Sequence, residues 1–180
     1  MNKENKLEAE IIIPKFPRNA TQFYHLDKSQ DWVRELLIEL NEKADEKPVE
    51  EYLNETSLTI DLEILKKFTP ATGEFLLVKG SIKATYATQC VRTLENMEDS
   101  LTTGIQACFI DELKSDDEIY ADQSETFQEN EMYDLYFYVK NKASIKEMIH
   151  EQIFLNINQY PVKDAERELV WGKEQSTSKQ

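Results

Sequence analysis

The chain has 180 residues, with 35 acidic side chains against 21 basic ones and a formal charge of −14, which excludes diffuse electrostatic capture of nucleic acid. Hydrophobic residues make up 40% and aromatic ones 10%, with only four Gly, five Pro and two Cys; that composition excludes collagen-like, disulfide-framework and wholly disordered classes. At about 150 residues per domain, one domain with polar ends is expected, spanning residues 10–171 between flexible tails at 1–9 and 172–180.

The only apolar run near the N-terminus, Ile11-Ile12-Ile13, stops at Pro14 and is too short for a signal-peptide core or a membrane span. A cytoplasmic protein is expected, so the sequons at Asn19 and Asn54 are read as accidental. Asp27, with Gln30 three residues on, has the pattern of an N-cap. Val33, Leu36, Leu37 and Leu40 then make one helical face, predicting a helix over residues 31–43 that Pro48 prevents from continuing.

The period shortens after Ser57. Leu58, Ile60, Leu62 and Ile64 alternate with polar residues, as in a half-buried strand. Beyond the turn at residues 69–73, residues 75–90 form a second strand with Leu76, Val78, Ile82, Ala84 and Tyr86 on one face and Lys79 and Lys83 on the other. Gly80 is read there as a bulge. Leu101, Thr103, Ile105, Ala107 and Phe109 share one side of a third strand, so residues 75–110 read as one long hairpin with its tip at residues 92–95. In that register Cys108 falls opposite about Gly80, too far from Cys90 for a disulfide.

Residues 111–134 hold ten acidic side chains against one basic, Lys114, a net charge of −9. Self-repulsion predicts a mobile excursion, anchored only by Ile119, Tyr120 and Phe127. A last strand at residues 135–139 leads to Ser144-x-x-Glu147, a capping box that opens a helix over residues 144–156. The predicted architecture is α+β: a strongly twisted, mostly antiparallel sheet or partly open barrel, with two main helices and an acidic loop.

Catalytic chemistry has no positive signal. His150-Glu151 begins H-E-x-x-H, but Phe154 stands where the second histidine is required. No nucleophile elbow, P-loop or dinucleotide fingerprint is present, and structural zinc would need more than two cysteines. No enzyme activity, metal or cofactor is expected. Lys79, Lys83 and Arg92 are candidates for a small RNA or partner contact, with Tyr86 or Tyr138 to stack bases; the plainer reading has the lysines solvating the sheet and Arg92 paired with Glu95 or Glu98. Asp116, Asp117, Glu118 and Asp122 are candidates for gripping a basic partner, against a plain solubilising loop.

Two blocks carry a family resemblance. Gly80-x9-Cys90-Val91-Arg92 resembles the YceD family, the large ribosomal RNA subunit accumulation proteins, in which a strand runs from Gly to a Cys-x-Arg-Cys knuckle. Residues 148–162, with Glu151, Leu155 and Pro161, are similar to that family's closing motif. Thr93 stands at the second knuckle cysteine and Asn158 at the first closing proline, so no metal site is carried over. The resemblance implies a non-enzymatic bacterial factor in accumulation or processing of large-subunit ribosomal RNA, binding that RNA or its precursor and/or a basic ribosomal protein. An acidic module that mimics nucleic acid toward some other basic partner is the alternative.

Overall fold

The computed structural model describes residues 6–163. In chain order the elements are β1 (Glu10–Ile12), β2 (Gln22–Leu26), α1 (Asp31–Leu40), α2 (Val49–Glu55), β3 (Ser57–Thr69), β4 (Gly73–Gln89), β5 (Asn96–Asp111), β6 (Glu125–Gln128), β7 (Glu131–Tyr138), β8 (Lys142–Ser144) and α3 (Ile145–Asn156). Among these, no helix is long and apolar enough to cross a membrane. The tail predicted for residues 172–180 and the end of the domain at 171 lie outside the described residues.

Alternation of apolar and polar side chains makes β3, β4 and β5 long strands, and they pair antiparallel along almost their whole length. The six-stranded sheet runs β2-β3-β4-β5-β7-β6. Its outer strands do not meet, so the sheet is open and no barrel closes. It is also mixed, because β7 runs parallel to β5, a pairing that the sequence reading did not foresee. β1 and β8 form a separate two-stranded ribbon.

The α1 and α3 faces cover one side of the sheet. Val33, Leu36 and Leu37 of α1 and Ile145, Met148 and Ile149 of α3 are completely enclosed with Leu58, Ile60, Ile64, Val78 and Phe109 beneath them. The opposite side carries a smaller cluster, Phe75, Leu77, Cys108, Ile110, Tyr120 and Tyr133. Strand alternation therefore feeds two cores from one hairpin.

Several local expectations are corrected. Asp27 forms a turn, its carboxylate accepting from Ser29 N at 2.8 Å, and Gln30 is the N-cap residue of α1, which ends at Leu40. The predicted N-terminal tail is anchored at its inner end: Leu7 is buried, and its carbonyl accepts from Trp32 Nε1 at 2.8 Å. The Ser144 cap holds, with its hydroxyl accepting from Glu147 N at 3.2 Å.

Gly80 is in continuous register, opposite Leu62 and Ile105, and makes no bulge. It serves a close approach: a Cβ there would lie 1.9 Å from the Asp61 carbonyl oxygen. Cys108 stands opposite Leu77, three positions from the expected partner, because the hairpin turns nearer Arg92. Both cysteines are free and buried.

The acidic segment is not a free loop throughout. Its second half forms β6 and the start of β7, and Tyr120 pins the first half, buried, with its hydroxyl 2.9 Å from Thr72 Oγ1. Like charge does not prevent this, because the charged groups alternate outward while Tyr120, Thr126 and Tyr133 turn inward.

Candidate functional site

The tip of the β4–β5 hairpin is where the two sequence blocks meet. Cys90 ends β4, and the short turn after it closes by Cys90 N donating to the Glu95 carbonyl at 2.9 Å and Leu94 N to the Cys90 carbonyl at 2.9 Å, with Leu94 at φ +59°. The chain leaving α3 returns alongside. Val91 N donates to the Pro161 carbonyl at 2.9 Å, Lys163 Nζ reaches Glu95 at 2.5 Å, and Asn158 Nδ2 lies 3.5 Å from Asp99 Oδ2. Pro161 is buried in this junction.

Inside it, the Cys90 thiol is lowered to about 7, first by the Thr93 hydroxyl and then by backbone amides of Lys163, Thr93 and Arg92 that hydrogen-bond the sulfur. Thr93, at the knuckle position that resembles a second cysteine, thus supports the first thiol with a hydroxyl. Burial pushes Cys108 up to about 12. Only Cys90 should therefore ionise near neutrality, seen as a rise in absorbance at 240 nm with a midpoint near pH 7. Thr93→Val should raise that midpoint, and Cys90→Ala should abolish it. Because the thiol ionises more readily when folded, its contribution to stability is present at alkaline pH and lost as pH falls through about 7. A midpoint near the free value, about 8.5, would contradict this junction.

The remaining motif residues lie apart. Gly80 is mid-strand, while Glu151 and Leu155 face outward from α3. Gln152, between them, is buried and donates to Asp134 Oδ2 and Tyr136 Oη, both at 3.0 Å. That helix face therefore positions β7. His150 lies against Phe154, ring centroids 4.5 Å apart, and pairs with Glu39 at 2.9 Å.

Lys79, Lys83 and Arg92 do not gather into one patch. Lys79 and Lys83 share a strand face, but Lys79 pairs with Glu131 and lies over the Tyr133 ring. Arg92 is exposed at the tip, beyond the end of β4. Neither proposed stacking residue is available: Tyr86 and Tyr138 are buried, and Tyr138 Oη donates to the Glu74 carbonyl at 2.8 Å. Asp116, Asp117, Glu118 and Asp122 are all exposed, on the turns flanking Tyr120. The sequence reading named Val91 in the knuckle block, Thr93 at the second knuckle position and Glu95 as a partner for Arg92, but not their meeting with the chain that leaves α3, and it missed Lys163.

Neither the curated proteins nor the solved structures compared with the chain give a match. A family model described as large ribosomal RNA subunit accumulation protein YceD matches residues 78–180, a stretch that begins in β4 and takes in the hairpin tip, the acidic segment and α3. With more than half of its length matched, and with the two motif blocks joined at one hairpin tip, the chain belongs to the YceD family.

Proposed function

We propose that this chain is a non-enzymatic factor in large-subunit ribosomal RNA accumulation and ribosome biogenesis, and that it acts in the cytoplasm by holding a basic ribosomal protein on its acidic segment. The observation that carries the reading is the display of residues 111–134, at a net charge of −9, on a sheet scaffold. Asp116, Asp117, Glu118 and Asp122 stand exposed around the Tyr120 anchor. Carboxylates held in place lose less freedom on binding than a disordered acidic tail, and their field selects lysine- and arginine-rich surfaces. RNA is a weaker fit for the body of the protein, since phosphates meet a chain at −14. Direct RNA contact is left to local points such as Lys83 and Arg92.

The test is the full-length quadruple variant Asp116→Asn, Asp117→Asn, Glu118→Gln, Asp122→Asn, assayed for binding to salt-extracted large-subunit ribosomal proteins across a salt series. All four side chains are exposed, so the fold should persist. Binding at 0.1 M salt should weaken by about tenfold or more, with a flatter salt dependence, because exposed charges act over a Debye length of about 10 Å. Unchanged binding would remove the mechanism.

A further inference from the structure

The acidic segment does more than carry charge: it supplies the last strand of the sheet. β6 is terminal in the strand order. Leu135 N donates to the Ser124 carbonyl at 2.9 Å, and in the register that pairs Thr126 with Tyr133 and Gln128 with Glu131 this makes those two the hydrogen-bonded pairs of the ladder. The amides and carbonyls of Glu125 and Phe127 consequently point away from β7, toward the open side. The Met132 carbonyl agrees with this alternation, since it turns toward β5 and accepts from Gln106 Nε2 at 2.9 Å.

Apolar surface lies beside this edge. Phe127, 62% exposed, stands directly across from Met132, 51% exposed. They share the sheet face on which Gln152 of α3 reaches Asp134, but the helix does not cover them. An open strand edge with a bare cross-strand apolar pair is the geometry that accepts an added strand.

Charge selects the occupant. A second copy would bring another segment at −9 against the first, and like charges facing one another across a strand pair oppose association. RNA has neither the peptide amides nor the charge. A polypeptide with alternating basic and apolar residues satisfies all three features: amides for the ladder, apolar side chains for Phe127 and Met132, and cations for the surrounding carboxylates. We propose that the open edge of β6 takes up an extended lysine- or arginine-rich protein segment as an added strand. The inference rests on the reading of the chain as a holder of a basic ribosomal protein and specifies how that partner is held.

The experiment uses the full chain and a fluorescent alternating Lys–Val peptide of about eight residues, the length of an ordinary strand, followed by anisotropy. A second peptide of identical sequence is N-methylated at every residue, which removes the donors of both strand edges and leaves the charge unchanged. The methylated peptide should bind about tenfold or more weakly than the plain one. Phe127→Pro should weaken the plain peptide to a similar extent, because it deletes an outward amide that β7 does not use. Equal affinity of the two peptides for the unmodified protein overturns the proposal whether or not Phe127→Pro folds. A self-associated form of the protein that Phe127→Pro dissociates, or direct binding of labelled oligouridylate to the protein that Phe127→Pro abolishes, would overturn it too, in favour of a second copy or RNA. If the quadruple variant loses ribosomal proteins while the two peptides bind equally, the charge-based holding stands and strand addition falls.

Discussion

Gly80→Ala is expected to destabilise the fold by about 3 kcal/mol, the upper part of the usual range for forcing extra volume into a packed site, and to lower the thermal midpoint by roughly 6–12 °C. The added methyl carbon would lie 1.9 Å from the Asp61 carbonyl oxygen and 2.9 Å from its carbon. Both are backbone atoms of β3, so no side chain can swing aside. The central β3–β4 pairing must part, and it underlies the larger core on its helix-covered face. Gly104, on the paired strand β5, is the internal control. Its nearest neighbour to an added Cβ is the Gly80 carbonyl oxygen at 3.9 Å, so Gly104→Ala should be neutral or stabilising by about 0.5 kcal/mol through reduced freedom of the unfolded chain. Thermal unfolding of the two variants side by side decides it; similar midpoints would show that Gly80 is not sterically required.

Asn41→Ala is expected to cost about 2–3 kcal/mol, because it leaves a buried backbone donor without a partner. β3 pairs with β4 no further than Thr85, and Asn41, at the end of α1, takes over beyond that point. Its side-chain oxygen accepts from Ala87 N at 2.8 Å, and its amide donates to Thr56 Oγ1 at 3.0 Å. One buried amide thus ties helix, strand start and hairpin together. Asn41→Asp keeps the acceptor toward Ala87 but buries a carboxylate against Thr56 Oγ1, whose proton already goes to the Tyr52 carbonyl at 2.5 Å, so at neutral pH it should destabilise at least as much as Asn41→Ala in a denaturant titration. A loss below about 0.5 kcal/mol for Asn41→Ala would mean that the Ala87 amide finds another partner.

The β4–β5 hairpin was legible from its alternation, and α3 from the Ser144 box, since both signals are local and repeat over many residues. β2 was not: Gln22–Leu26 has only Leu26 fully enclosed, too little alternation to stand out. β6 and the first half of β7 were hidden by their charge, whereas the strand expected at residues 135–139 forms as the second half of β7, ending at Tyr138. An acidic run reads as repelled from any core, yet Tyr120, Thr126 and Tyr133 supply enough inward contacts to hold it on the sheet.

The Cys90 knuckle and the Pro161 motif were each visible as sequence. Their meeting was not, because the Val91–Pro161 hydrogen bond joins positions some seventy residues apart and neither partner marks the other. The same holds for Lys79. Its strand face followed from parity, but its engagement with Glu131 came from the parallel placement of β7.

By itself the amino-acid order determined the charge, the α+β class, the central hairpin, the closing helix and the family, all of which rest on composition, short-range period or contiguous motifs. Only the tertiary structure decided that the sheet stays open, that β7 runs parallel to β5, that the two motif blocks share one tip, and that an acidic strand forms an exposed edge. Those outcomes depend on which distant segments satisfy each other's backbone groups and buried surfaces, and such pairing energies belong to no single stretch of chain.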